Sequence, residues 1–399
     1  MRPPLDGIRI LELTIYQNGP WGGVMLSDMG ASVIKIEDTV NGDPGRNTSL
    51  VPAGRGINAY FETMNRNKRG ITLDLKKPEG REVFYTLAKK SDVVIQNFRH
   101  GVVQKLGVDY ETVKKLNSRI IYASVSGLGD QGPDAREAVL DPLGLARGGL
   151  MYHTCMEGEE IFGRTQGALA DQTGAITLAY GVLLAIIARE RDGVGQHVQV
   201  SQLGGQMILQ ALAINTYLMS GTMARARPRK QVTNPLLTTY PCGDGKWVAL
   251  SCAQSDRFWP DVCNALGVNE LRDDERFRGA AARAKNSAEL VDGLQAAFAA
   301  HTRDEWIPIL KRHGIFCAPV QSYADLPNDP QIQANNYLTT VQHPTLGTLR
   351  QVGIPIKLSE TPGEVRGPAP EWGQHTEEVL LEHGYTWEQI AGLREKGAI

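Results

Sequence analysis

Asp171 stands where a run of small residues, Gly167-Ala168-Leu169-Ala170, gives way to a helical pattern that begins near Gln172. A carboxylate at such a junction has two uses. As an N-cap it satisfies the orphan amides of the first helical turn. As a nucleophile it attacks a carbonyl carbon, for which it must be ionised, and the positive end of a helix dipole favours the anion. Both uses stay open on the residues alone. The 8 histidines form no HExxH and none has a serine elbow nearby, so zinc hydrolysis and triad chemistry have no support. Two other groups could meet a ligand. Arg66-Asn67-Lys68-Arg69 offers point charges and forked donors for phosphate, or else a solvated loop. Asn97-Phe98-Arg99 follows an apolar strand directly, where open α/β sheets bind ligands, and combines an amide, an aromatic face and a guanidinium.

The elements that must position these groups alternate. Ile8 to Leu13 reads as a strand, Gly19 to Gly30 as a glycine-rich turn and helix, and Ala31 to Ile36 as a second strand. Strand-like and helical stretches then continue: Gly70 to Leu75, Pro78 to Lys90, Asp92 to Gln96, Val108 to Leu116 and Arg119 to Val125. The pattern predicts an α/β fold, a large doubly wound Rossmann-like domain over residues 1–223. The spacing Gly19-Pro20-Trp21-Gly22-Gly23 is not GxGxxG, and its proline disrupts a phosphate cradle, which argues against a nicotinamide cofactor. Gln202 to Met219 reads as one helix, and the basic, proline-broken run Arg225 to Lys230 leads out of it into a smaller α+β domain over residues 224–335. Residues 336–399 return to complete the large domain; Thr386 to Gln389 there has the capping-box pattern.

Composition narrows the function classes. Against 42 basic residues stand 44 acidic ones, so no broad field attracts nucleic acid or an anionic membrane. The 5 cysteines are scattered with no CxxC, which argues against a disulfide framework and a structural zinc, and for a reducing, cytoplasmic setting. No apolar signal-peptide core follows Met1. The apolar stretch Ala175 to Ala188 is shorter than a membrane span and is expected as a buried helix.

Taken together and in order, a set of segments resembles the class III CoA-transferases, the group of formyl-CoA and carnitine CoA-transferases. The segments are Leu5 to Leu13, Gly30 to Glu37, Asn67 to Leu75, Asn97 to Arg99, Ser124 to Gly127, Asp171, and Gly193 to Val198. The resemblance implies two chains threaded as an interlocked homodimer, an acyl-CoA and a carboxylic acid as substrates, and no permanently bound cofactor, coenzyme A being a substrate moiety. Asp171 matches the nucleophilic aspartate, and Gln17 a glutamine beside the thioester. Asn18, Leu73, Asp74, Leu75, Lys76, Asn97, Phe98 and Arg99 fall where members line the CoA channel, and Lys105 stands for an arginine there. No metal site is implied. The implied reaction is acyl-CoA:carboxylate CoA transfer through an aspartyl-CoA thioester.

Three departures shape that expectation. Asp38 sits where formyl-CoA transferase has an arginine near the nucleotide. Asn234 to Tyr240 replaces the glycine run of that enzyme's lid, which points away from formate and oxalate; with Glu382 to Tyr385 it resembles members handling hydroxy, aromatic or branched dicarboxylic acids. The alternative is an isomerase like the related α-methylacyl-CoA racemases. These place a histidine where this chain has Leu140, and exchange of an α-proton needs a group on each face.

Overall fold

The structure is a computed structural model that describes residues 1–48, 58–156, 160–161, 167–223 and 225–399. It divides into two compact units, one of Met1–Tyr152, Phe162–Met223 and Asn335–Ile399, the other of His153–Ile161 and Ala224–Ala334.

The first unit is built on β1 (Arg9–Leu13), β2 (Ser32–Glu37), β3 (Arg69–Thr72), β4 (Val93–Gln96), β5 (Ile121–Ser126) and β6 (His197–Ser201), in the order β3-β2-β1-β4-β5-β6. Every pair is parallel. Parallel strands need crossovers, and helices supply them: α1 (Asn18–Asp28), α2 (Ala59–Asn65), α3 (Pro78–Lys89), α4 (Val102–Leu106), α5 (Tyr110–Leu116), α6 (Asp141–Arg147), α7 (Leu150–Thr154) and α8 (Leu169–Asp192). Alternation along each strand feeds two cores. Leu11, Leu13 and Val94 pack with α3 on one face, while Ile10, Val93 and Ile95 pack with Leu178 and Val182 of α8 on the other. This is the doubly wound arrangement expected from the sequence. Its strand order reverses between β1 and β4, so the carboxyl ends of those two strands open the crevice in which such sheets take ligands.

The glycines of α1 serve close packing. A Cβ at Gly22 would lie 2.7 Å from Leu178 Cδ2, and one at Gly23 would overlap the Glu12 carboxylate. The helix therefore sits tightly on α8 and on β1. The basic cluster is neither a phosphate site nor a solvated loop. Arg66 is buried in an ion pair with Asp28 at 2.6 Å. Lys68 Nζ donates to Glu12 Oε1 at 2.8 Å, to the carbonyls of Pro20 and Met64, and to Asn65 Oδ1. Burial pulls its pKa down to about 8 against the pull of Glu12.

α8 is, among the described residues, the one helix long and apolar enough to cross a membrane. Here one stripe, Ala175, Leu178, Ala179, Val182 and Ala185, packs on the sheet and α1. The other stripe, Ile176, Tyr180, Leu183, Leu184 and Ile187, is exposed, so the expectation of a wholly buried helix is corrected. The single helix expected over Gln202 to Met219 is two, α9 (Gln202–Leu209) and α10 (Ala211–Ser220). Gln210 breaks them, its backbone at φ −103° and ψ 14° and its side-chain amide held by the Gly148 carbonyl at 2.9 Å.

The second unit is α+β. β7 (Thr239–Pro241), β8 (Trp247–Leu250) and β9 (Cys317–Val320) form an antiparallel sheet under helices Ser255–Leu266, Ser287–Phe298 and Arg303–Arg312. Tyr240 stacks on Phe298 at 4.9 Å, and Trp306 meets Phe298 edge-on at 5.4 Å. In the returning segment β10 (Leu338–His343) and β11 (Gly347–Val352) make a hairpin. The capping box at Thr386 and Gln389 is formed as the sequence predicts.

Lys68→Ala is expected to lower the unfolding free energy by about 3–5 kcal/mol in urea titrations, because it leaves Glu12 buried without its closest cation. A loss under about 1 kcal/mol would show that Lys35 alone neutralises Glu12.

Candidate active site

At the carboxyl end of β1 the chain makes a strained turn before α1. Tyr16 has φ +63°, a left-handed conformation that a residue with a Cβ holds only when its surroundings fix it. Three ties do so. Asp43 Oδ1 accepts from the Tyr16 amide at 3.0 Å, the Asn97 side chain bonds both the amide and the carbonyl of Ile15, and Lys35 Nζ donates to the Thr14 carbonyl at 2.8 Å. Lys35 in turn lies 2.8 Å from Asp43 Oδ2 and 3.6 Å from Glu12, fully buried. Burial opposes its charge, but Asp43, Glu12 and Glu37 outweigh burial and push its pKa up; Lys35 likewise overcomes burial to hold Asp43 down. Both partners stay charged, and the turn rests on that pair.

Gln17, buried, is the residue just before α1, and Asn18, buried, is its first residue. Asn18 Oδ1 accepts from Asn97 Nδ2 at 2.7 Å, which joins the β1 and β4 loops across the switch point. Asn18 also faces α8: a Cβ on Gly174 would be 3.7 Å from its own. Gly174 is one turn after Asp171, so Gln17, Asn18, Asn97 and the first turn of α8 share one neighbourhood.

Asp171 is not the N-cap. The residue before α8 is Ala168, left-handed at φ +48°, and Asp171 is the third residue of the helix. The cap comes from elsewhere in the chain: Asp141 Oδ1 on α6 accepts from the amides of Ala170 at 2.7 Å and Asp171 at 3.1 Å. The expectation that capping keeps Asp171 ionised is corrected too. Burial, followed by the negative charge of Asp141, raises its pKa to about 7, against a hydrogen bond from Gln202 Nε2 to its Oδ1 at 2.6 Å. The carboxylate is poised near neutrality, the condition for a group that must be both anionic and reactive at physiological pH. Tyr60 on α2 lies in the same field; burial, followed by the charges of Asp171 and Asp43, pushes its hydroxyl upward.

The remaining residues named from the sequence lie along the same sheet edge. Leu73 and Leu75 are buried in the core; the Leu73 amide bonds the Glu37 carbonyl and the Asp74 amide the Ala398 carbonyl. Asp74 Oδ1 accepts from the Lys76 amide, and exposed Lys76 stands 3.8 Å from Asp38. The acid at position 38 thus faces a lysine. Phe98 packs on the core, while Arg99 and Lys105 are exposed and form no ion pair among the described residues. Lys76 and Lys105 offer phosphates point charges and Arg99 a forked donor. Among the described residues no cluster of three or more histidine, cysteine or acidic side chains stands placed to hold a metal.

Sequence reasoning missed Asp141, Gln202 and Tyr60. Asp141-Pro142 does carry a helix-start signal, but nothing local shows that its carboxylate caps a helix some thirty residues on. For Gln202 and Tyr60 the signal is tertiary only.

Comparison with known proteins shows the family. The family model described as CoA-transferase family III matches residues 5–376. The succinate–glutarate CoA-transferase of Agrobacterium fabrum is 33% identical over 96% of this chain and 96% of its own. The succinyl-CoA–D-citramalate CoA-transferase of Chloroflexus aurantiacus is 32% identical over 99% of this chain and 98% of its own. The crystal structure of a CAIB/BAIF family protein from Brucella suis superposes with a TM-score of 0.87 at 31% identity, covering 96% of this chain and 100% of that one. The chain belongs to CoA-transferase family III.

Proposed function

We propose that this CoA-transferase moves coenzyme A from an acyl-CoA to a free carboxylic acid by way of an aspartyl-CoA thioester on Asp171. The observation that carries the reading is the placement of a carboxylate with a pKa of about 7 in the first turn of α8, beside the Gln17-Asn18 turn at the switch point. One carboxylate oxygen attacks the donor thioester carbonyl and expels CoA thiolate, giving a mixed anhydride. The thiolate then attacks the aspartyl carbonyl and expels the donor acid, leaving the thioester. The acceptor acid reverses these two steps. Each bond broken is replaced by one of similar energy, so no nucleotide hydrolysis is needed, and the relay divides one exchange into easier ones. Main-chain amides of Gln17 and Asn18 at the start of α1 are the oxyanion donors in this reading, since those of Ala170 and Asp171 are taken by Asp141.

Racemisation fits less well. Leu140 is exposed and aliphatic just before Asp141, and it can neither give nor take a proton.

The same reading includes a second copy of this chain. Ile176, Tyr180, Leu183, Leu184 and Ile187 of α8 are exposed together with Leu212, Leu218 and Met219 of α10, a helix with no charged and no buried residue. An uncharged helix with no buried side chain, together with the bare stripe of the helix that carries Asp171, suits a self-complementary surface. Sedimentation equilibrium should give twice the chain mass, with Leu218→Glu shifting it toward one; a monomeric wild type would remove the dimer.

Asp171→Asn should abolish transfer from succinyl-CoA to a panel of dicarboxylic and hydroxy acids and form no covalent adduct by intact-protein mass. Transfer at the wild-type rate would disprove the nucleophile. Deuterium uptake at the acyl α-carbon without any acceptor would instead favour isomerisation.

The active anion is lost as pH falls through its pKa, so kcat/KM should fall on the acid side with a midpoint near pH 7. Asp141→Asn keeps the cap acceptor but removes the neighbouring charge, and should move that limb to lower pH. An unmoved limb would mean that the group titrating is not Asp171.

A further inference from the structure

We infer that Gln202 is a further catalytic residue, whose amide nitrogen fixes which oxygen of Asp171 attacks and stabilises the oxyanion that forms on the other. The inference rests on the reading of Asp171 as the nucleophile.

Gln202 opens α9, a helix capped by the Ser201 hydroxyl accepting from the Gly204 amide at 2.9 Å. Its side chain is 2% exposed and wedged between α6 and α8. A Cβ on Gly144 would lie 3.0 Å from Gln202 Oε1 and 3.4 Å from Gln202 Cβ, so a larger residue on α6 would displace the amide. The orientation of that amide is set by charge. Nε2 donates to Asp171 Oδ1 at 2.6 Å, whereas Oε1 is buried with no hydrogen-bond donor among the described residues. Turning the amide over would set Oε1 against the carboxylate, acceptor against acceptor. Leaving Oε1 unsatisfied is itself costly, by about 1–3 kcal/mol. The side chain is held in this orientation because the other one is worse when Asp171 is an anion.

The consequence is an asymmetry within the carboxylate. Oδ1 is engaged, and among the described residues no group donates to Oδ2. Oδ2 therefore carries the available lone pair. It bonds to the thioester carbonyl carbon, the C–S bond breaks, and its electrons leave on CoA thiolate. Oδ2 becomes the bridging oxygen of the anhydride and Oδ1 the remaining aspartyl carbonyl oxygen. When the thiolate attacks the aspartyl carbon, the carbonyl π pair moves onto Oδ1, where Nε2–H already points. Collapse returns that pair to the carbonyl and expels the donor carboxylate through Oδ2. A donor fixed where charge develops is the arrangement that lowers such barriers most.

Gln202→Leu and the near-isosteric Gln202→Glu test this, with Gln206→Leu as the control. Gln206 is buried on the same helix and bonds the Leu169 carbonyl and Thr173 Oγ1 at 3.2 and 2.9 Å, away from the carboxylate. Adduct formation is followed by intact-protein mass after mixing with succinyl-CoA, alongside succinyl-CoA affinity by calorimetry and the pH dependence of kcat/KM. Asp141 and Tyr60 are the charged or titratable groups whose field reaches Asp171, and all three variants leave them in place.

Gln202→Leu should bind succinyl-CoA as the wild type does, form the adduct about 10²-fold more slowly, and shift the acid limb to higher pH. Gln202→Glu should shift the limb upward as well, and decides the matter if the leucine variant does not fold. Gln206→Leu should lower Tm without moving the limb. Wild-type adduct rates with an unmoved limb in either Gln202 variant, or equal limb shifts in Gln202→Leu and Gln206→Leu, would overturn the inference. Peptide mapping separates the two claims. A wild-type adduct on a residue other than Asp171 sinks the nucleophile reading, whereas an Asp171 adduct indifferent to Gln202 sinks only this one.

Discussion

Lys35, Lys68, Glu12 and Asp43 meet beneath the β1–α1 turn with their side chains almost wholly out of water. Such a group is poor evidence of stability in itself, since desolvating the charges offsets most of their attraction. Its geometry, however, decides where several elements go. Lys68 ties β1 to α1 and α2 at once, and Asp43 clamps the Tyr16 amide while its own amide is held by Glu37. The left-handed Tyr16 persists because these bonds over-determine it. Gln17 and Asn18 follow immediately, so the site inherits its precision from charges that touch no substrate.

A second conflict lies at Asp171. A pKa of about 7 in place of 3.8 corresponds to about 4 kcal/mol disfavouring the anion. Burial and Asp141 oppose ionisation while Gln202 and the positive end of α8 favour it. Asp141 acts in both directions: it orders the first turn by accepting two amides, and its charge raises the carboxylate it helps to position. A distal carboxylate thus does the capping that the sequence assigns to Asp171 itself.

The sheet was legible because its signal is local. Apolar runs with helices between them define parallel β1 to β5, and burial on both faces makes those runs continuous, whereas β6, His197 to Ser201 and only partly buried, carries no such run and does not read as a strand. Asn97 and Arg99 follow from the same logic, since open sheets take ligands at the carboxyl ends of strands, whereas Gln17 is named only through the family resemblance. What the chain alone did not show depends on partners distant in sequence. Arg66 and Lys68 look like surface cations until Asp28 and Glu12 are seen opposite them. The outer stripe of α8 reads as buried because apolar residues look alike in sequence whether they face the core or the surface. The break at Gln210 comes from a side chain reaching Gly148, which helical periodicity does not register.

On the proposed aspartyl-thioester relay, the raised carboxylate also bears on how the exchange moves forward. A mixed anhydride offers the returning thiolate two carbonyls, and attack at the donor carbonyl merely regenerates the starting thioester. Transfer advances only if the aspartyl carbonyl is the better electrophile or its tetrahedral intermediate the better stabilised. Leaving-group ability favours this, since attack at the donor carbonyl must expel an aspartate with a pKa near 7, a poorer leaving group than a typical free acid with a pKa near 4. That same difference favours the forward collapse: once the thiolate has added to the aspartyl carbon, the group expelled is the less basic donor carboxylate. A pKa that makes Asp171 a stronger nucleophile toward the thioester therefore also directs the anhydride onward, and the basicity set by burial and Asp141 acts at both steps.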